Sequence, residues 1–168
     1  MRTYFASIFT TFVVFTAFAS EAALAQPVDK TTTAGSYRLE LEVLPPEPFF
    51  SQSEVQSQQV QSGMLVVRGA APLQPNASPR PDHHLVVHVF DKSTGKAVTG
   101  ADVRMGFQRL APGGEPSGPV TRVPVVEMQV IGKGPQTTHY GNNVSMPPGT
   151  YRVTVTVNAA TAEFKVTT

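Results

Sequence analysis

Apolar and polar residues alternate at period two along several short stretches of this chain, and no helical period holds over ten residues or more. Residues 37–43 put Tyr37, Leu39, Leu41 and Val43 on one face and Arg38, Glu40 and Glu42 on the other, which predicts a half-buried strand. Pro45, Pro46 and Pro48 end it. Residues 64–68 give a second strand, and residues 84–90 a third that closes in the turn Asp91-Lys-Ser-Thr-Gly95. Another lies within residues 98–110, with Val103, Met105 and Phe107 facing one way and Asp102, Arg104 and Gln108 the other. A Gly/Pro loop over 111–119 leads to a strand over 123–131, residues 151–157 show the cleanest alternation in the chain, and 162–166 supply a closing strand. Residues 51–62, rich in Gln and Ser, read as a loop or weak helix, and residues 72–81 as a Pro-rich linker. About seven short strands between turn signals predict an all-β fold, an immunoglobulin-like antiparallel β-sandwich in one domain over residues 37–168.

The N-terminal pattern is different. Residues 26–36 are polar and read as a flexible lead-in. Ahead of them, Arg2 precedes an apolar run from Phe5 to Phe18, and Ala23-Leu24-Ala25 has the small-x-small form that signal peptidase cuts. That run is shorter than the roughly 20 residues needed to cross a bilayer. Residues 1–25 are therefore expected to be a cleaved signal peptide, with Gln26 starting a periplasmic protein that has no membrane span.

Composition narrows the chemistry. The chain has 13 Lys+Arg against 12 Asp+Glu, a net charge of +1, and so lacks the basic surplus that nucleic-acid binding needs. It has no cysteine, which excludes disulfides, thiolate nucleophiles and Cys-ligated metals. There is no Gly-x-Ser-x-Gly elbow and no phosphate-cradling glycine loop, so an enzyme is not expected. What remains is histidine and methionine. His83, His84 and His88 lie along one strand, His139 lies in Thr138-His-Tyr-Gly-Asn-Asn143, and Met105, Met128 and Met146 sit in or beside strands. Imidazole and thioether are the donors that soft copper selects, and imidazole also serves iron and zinc. His84 and His88 share a strand face but stand roughly 13 Å apart along it, so both cannot bind one ion on a regular strand. His83 points the other way. The plainer alternative makes the histidines surface residues and the methionines core filler.

The segment from Thr138 to Val157, His-Tyr-Gly-Asn-Asn-Val-Ser-Met-Pro-Pro-Gly-Thr-Tyr with the alternating strand behind it, resembles part of the periplasmic iron-transport family. These are small exported proteins linked to high-affinity iron uptake that bind copper or iron on an immunoglobulin-like sandwich. The resemblance runs from Asp82 to the C-terminus. It implies that His139 is a metal ligand, that Met128, ahead of Gly134-Pro135, is another, and that His84-Leu85 matches the family's early histidine. Where the family carries an acidic ligand two residues after that histidine, this chain has Val86, and the family's late histidine loop is missing. Residues 86–103 also resemble the strand–turn–strand of YtkA-like exported sandwiches. The expected site is thus His84 or His88 with Met128 and His139. The expected ligand is a copper ion, with iron as a second choice, and the expected partner a membrane metal-uptake system. The alternative is a metal-free interaction or assembly module.

Overall fold

In the computed structural model, residues 28–57, 62–68 and 80–168 are described. The signal peptide assigned to residues 1–25 lies outside the described residues. So do residues 58–61 of the Gln-rich stretch, residues 69–71 and residues 72–79 of the Pro-rich linker. The protein is an all-β sandwich of two sheets, and the described residues form eleven strands, more than the seven its alternation suggests.

The extra strands come from segments whose sequence hides them. Residues 26–36 are not simply a loose lead-in: Val28–Ala34 forms β1, which pairs antiparallel with β2, Tyr37–Leu44. The β-branched Thr31-Thr32-Thr33 favours extension, and Gly35, at φ 56°, closes the tight turn between the two strands. Phe49–Ser51 is β3, Gln52–Ser57 a short helix α1, and Leu65–Arg68 is β4, running parallel to β3. His83–Asp91 is β5 and Val103–Leu110 is β6. The strand expected over 123–131 is the shorter β8 at Val126–Val130, and Val123 instead ends β7, Pro116–Val123, in the other sheet. Pro124, which has no N–H for a ladder, stands at the break. β7 also takes in half of the expected Gly/Pro loop. His139–Val144 is β9, a strand that its Gly and Asn residues conceal. Thr150–Val157 is β10 and Ala160–Thr167 is β11.

One sheet has the order β1-β2-β5-β9-β8-β4-β3 and the other β11-β10-β6-β7. The core lies between them. Leu39, Leu41, Leu85, Val87 and Val89 enter from the larger sheet and meet Met105, Phe107, Val153, Val155 and Val157 of the smaller. Each such fully buried side chain contributes about 1.5–3 kcal/mol. Met146 joins this core, and the Phe107 and Tyr151 rings pack edge to face at 5.7 Å. The larger sheet has a second apolar cluster on its other face, with Leu65, Val67, Val86 and Met128 buried and Phe49, Val126 and Val130 packed against them. Strand parity makes this possible, because alternate residues of β5 serve opposite faces. Among the described residues no helix is long and apolar enough to cross a membrane.

Candidate metal centre

Register along the larger sheet assembles the candidate residues. Glu40 of β2 is opposite His88 of β5, His139 of β9 is opposite Met128 of β8, and Met128 is opposite Val67 of β4. One pair further along, Glu42 faces Val86, and Val86 faces Gly141. His84 faces Asn143 beyond that. All of these lie on the face turned away from the core.

His139 stands between the two histidines of β5. Its ring centroid is 5.1 Å from that of His88 and 6.0 Å from that of His84. The 13 Å spacing along β5 is thus bridged by an imidazole from the neighbouring strand. Gly141 occupies the position between His139 and Asn143 on this face, and no side chain there separates the rings. Its lack of a Cβ is required, since a Cβ would land on the Leu85 carbonyl oxygen and 2.8 Å from Val86 Cα. Phe49 lies 5.3 Å from the His84 ring. His84, His139 and Met128 are buried, at 1%, 4% and 0% exposure. His83 turns away, as expected, and contacts the Asp82 carboxylate at 2.7 Å.

Hydrogen bonds fix which nitrogen each buried ring leaves free. Nδ1 of His139 is 2.8 Å from the Thr137 carbonyl, which can only accept, so Nδ1 carries the proton and Nε2 a lone pair. His84 is set by one more link. The Asn143 amide nitrogen donates to the Glu47 carbonyl at 2.7 Å, and its Oδ1 accepts from the Glu47 N–H at 3.2 Å. That orients the amide, so Oδ1, 3.0 Å from His84 Nδ1, accepts the ring proton. His84 Nε2 is then an unprotonated nitrogen, buried and with no hydrogen-bond partner among the described residues. Metal-binding histidines are prepared in this way, with the remote N–H tied down and the lone pair bare.

Electrostatics keep the rings neutral. Burial, with the His139 charge adding to it, pushes the His84 imidazole down to about 4, and burial likewise lowers His139. Glu42, absent from the residues singled out in the sequence, belongs to this face. Its Oε2 is 3.6 Å from His88 Nε2. The neighbouring His88, and more weakly His139 and His84, hold its carboxyl below the usual carboxylate value. The alternation of β2 does place Glu42 outward. Only the pairing of β2 with β5 brings it to the histidines, and spacing within one strand carries no trace of that.

The donor set suits a soft or borderline ion: two buried imidazole nitrogens, a thioether, and at the rim a third imidazole and a carboxylate. The orphaned His84 Nε2 is the observation that such an ion fits. Among the described residues, no three histidine or acidic side chains converge on one point. Met105, one of the other two methionines near strands, lies in the sandwich core with Met146 and is no part of the face.

Fold and face together define the class: an all-β sandwich with a histidine–methionine cluster on the outer side of its larger sheet. No known protein family and no curated protein matches the chain. Among solved structures it is similar to FetP of uropathogenic Escherichia coli strain F11, recombinantly expressed in the periplasm of E. coli. That likeness covers 84% of this chain and 95% of FetP at 14% identity, with a TM-score of 0.47. At this level it carries nothing about the site.

Proposed function

We propose that the protein is a periplasmic, non-enzymatic binding protein for a transition metal, copper in the first instance, that serves metal uptake or handling. The reading rests on one observation above the rest: the buried Nε2 of His84, without a hydrogen-bond partner among the described residues and aligned by Asn143 beside His139, which faces Met128 across the β8–β9 ladder. A buried lone pair with no partner costs free energy that a metal bond would return. The apolar surroundings of Met128 exclude water and favour Cu(I), which accepts few and soft donors. The exported location comes from residues 1–25, and the link to uptake from the His139-Tyr-Gly-Asn-Asn resemblance.

Titration of the purified protein with Cu(I) under reducing conditions tests this. Saturable one-site binding is expected, weakened about tenfold or more by His139→Ala. Binding no tighter than about 10 µM, or equal affinity in His139→Ala, would overturn it and leave a metal-free sandwich that works through a protein partner.

A further inference from the structure

The smaller sheet has an outer face too, on the far side of the sandwich from the histidines. Its core side is taken by Met105, Phe107, Val153, Val155, Phe164 and Val166, so the alternate positions of β6, β10 and β11 point outward. Those positions gather basic residues. Lys165 stands opposite Arg152, and Arg152 opposite Gln108, whose Oε1 accepts from the guanidinium at 3.0 Å. Further along β6, Arg122 of β7 is opposite Gly106, and Arg104 is opposite Thr156. The acids near this face are Glu163, 3.9 Å from Arg152, Asp102, 3.9 Å from Arg104, and Glu115 in the loop before β7. Both ion pairs are solvent-exposed and contribute little. Among the described residues Arg109, Arg122 and Lys165 form no ion pair. The net charge of the whole chain is only +1, so the basic residues are concentrated here, while the opposite outer face carries Glu40 and Glu42.

Three further features say what such a face fits. No aromatic residue stands on its outward positions, whereas protein interfaces centre on aromatic anchors. Gly106 leaves the middle of the face without a side chain, and Val120, 59% exposed, lies over it, its Cγ1 3.1 Å from the point a Cβ would occupy. At one end, beside Lys165, a cleft of about 400 Å3 opens between Arg109, Ser117 and Thr150. The Arg109 guanidinium is held there by the Pro148 carbonyl at 2.9 Å and lies against Gly149, where a Cβ would stand 3.0 Å from it.

We propose that this face docks on anionic phospholipid. Arg104, Arg122, Arg152 and Lys165 meet the headgroup layer, Arg109 and Lys165 seat one phosphate in the cleft, and Val120 enters between headgroups. A lipid surface asks for positive charge spread over an area and for no matching shape, and separated cations on a strand face supply that. Docked in this way, the chain turns its histidine face to solvent, so contact with lipid and contact with a metal ion do not compete. The inference goes beyond the metal-binding reading and does not rest on it.

Sedimentation of the purified protein with vesicles tests this, the vesicles being phosphatidylcholine alone or phosphatidylcholine and phosphatidylglycerol in equal parts. The protein should sediment with the second and not the first, and raising salt from about 0.05 M to about 0.5 M should release it. Arg122→Glu with Lys165→Glu should weaken binding about tenfold or more. The same change of charge in the turns after β5 and β8, Lys92→Glu with Lys133→Glu, should leave it within about twofold. Glu163→Gln should strengthen it, a gain that a merely structural role for these side chains does not produce. Inorganic phosphate should release no more protein than chloride at equal ionic strength, since a free anion offers one contact where a lipid layer offers several. Equal loss in both double variants, or no sedimentation at low salt, would overturn the proposal. Binding to polyglutamate beads without binding to vesicles would overturn it in favour of an acidic protein partner. Release by phosphate beyond that of chloride would overturn it in favour of a free-anion site. The copper titration reads a different face, so each of these failures leaves the metal-binding reading standing.

Discussion

Two hydrogen-bonded tethers, Asn143 on His84 and the Thr137 carbonyl on His139, determine what the buried rings can do. Asn143→Leu removes the first tether, and copper affinity should fall about 10- to 100-fold. The same variant should lose the Nδ1-protonated signature of His84 in 15N spectra, which a merely structural role for Asn143 would not require. The rings also make the unloaded fold acid-sensitive. His84 has a folded value of about 4, below the 6.5 of an exposed imidazole. Its neutral burial therefore stabilises fully above about pH 6.5 and is lost as pH falls toward 4, a change of up to about 3 kcal/mol. Lowered His139 acts in the same direction. Urea unfolding between pH 7 and 4 should show this loss, and His84→Gln should flatten it. Gly141 is the third constraint at this scale: Gly141→Ala drives a methyl into the Leu85 carbonyl and should cost more than about 2 kcal/mol. Residue type and resemblance singled out His84, His88, His139 and Met128 in the sequence. The closeness of Glu42 to His88 was not legible, because it depends on which strand lies beside β5.

Elements were legible where one face is buried and the other wet. β2 and β10 follow their alternation residue by residue, because the pattern records a single buried face. The central strands of the larger sheet are covered on both faces, and there the pattern blurs: Leu85, Val86 and Val87 of β5 are all buried. β9 was missed for a related reason. Its Gly141, Asn142 and Asn143 are poor strand formers held in place by β5, β8 and the tethers they make. β7 shows how an edge is managed. Its residues from Pro116 to Arg122 are exposed, Val120 at 59%, yet Pro116 and Pro119 cannot donate to an added strand. A β-bulge opposite Gln108 adds to this, with the Gln108 amide donating to the Gly118 carbonyl at 2.7 Å. Replacing both prolines with threonine should leave the core intact and increase self-association, read by light scattering against concentration.

At the scale of the molecule, the sandwich interior and the histidine face share strands without sharing side chains. Tyr140 on β9 illustrates the division. It lies in the core, and its hydroxyl donates to the Val98 carbonyl at 2.8 Å and accepts from the Ala101 N–H at 3.2 Å. It thereby pins the strand that carries His139 to the connection between the sheets. Tyr140→Phe should cost about 1–3 kcal/mol in chemical denaturation while leaving copper affinity within about twofold. Because the histidines project away from the packed interior, filling or emptying the face does not ask the core to move. Chains with and without a bound ion should therefore share one core structure, read as unchanged amide chemical shifts away from the face. A handful of outward positions on β2, β5, β8 and β9 could also be exchanged, over the history of such a chain, to suit a different ion while the same interior folds unchanged.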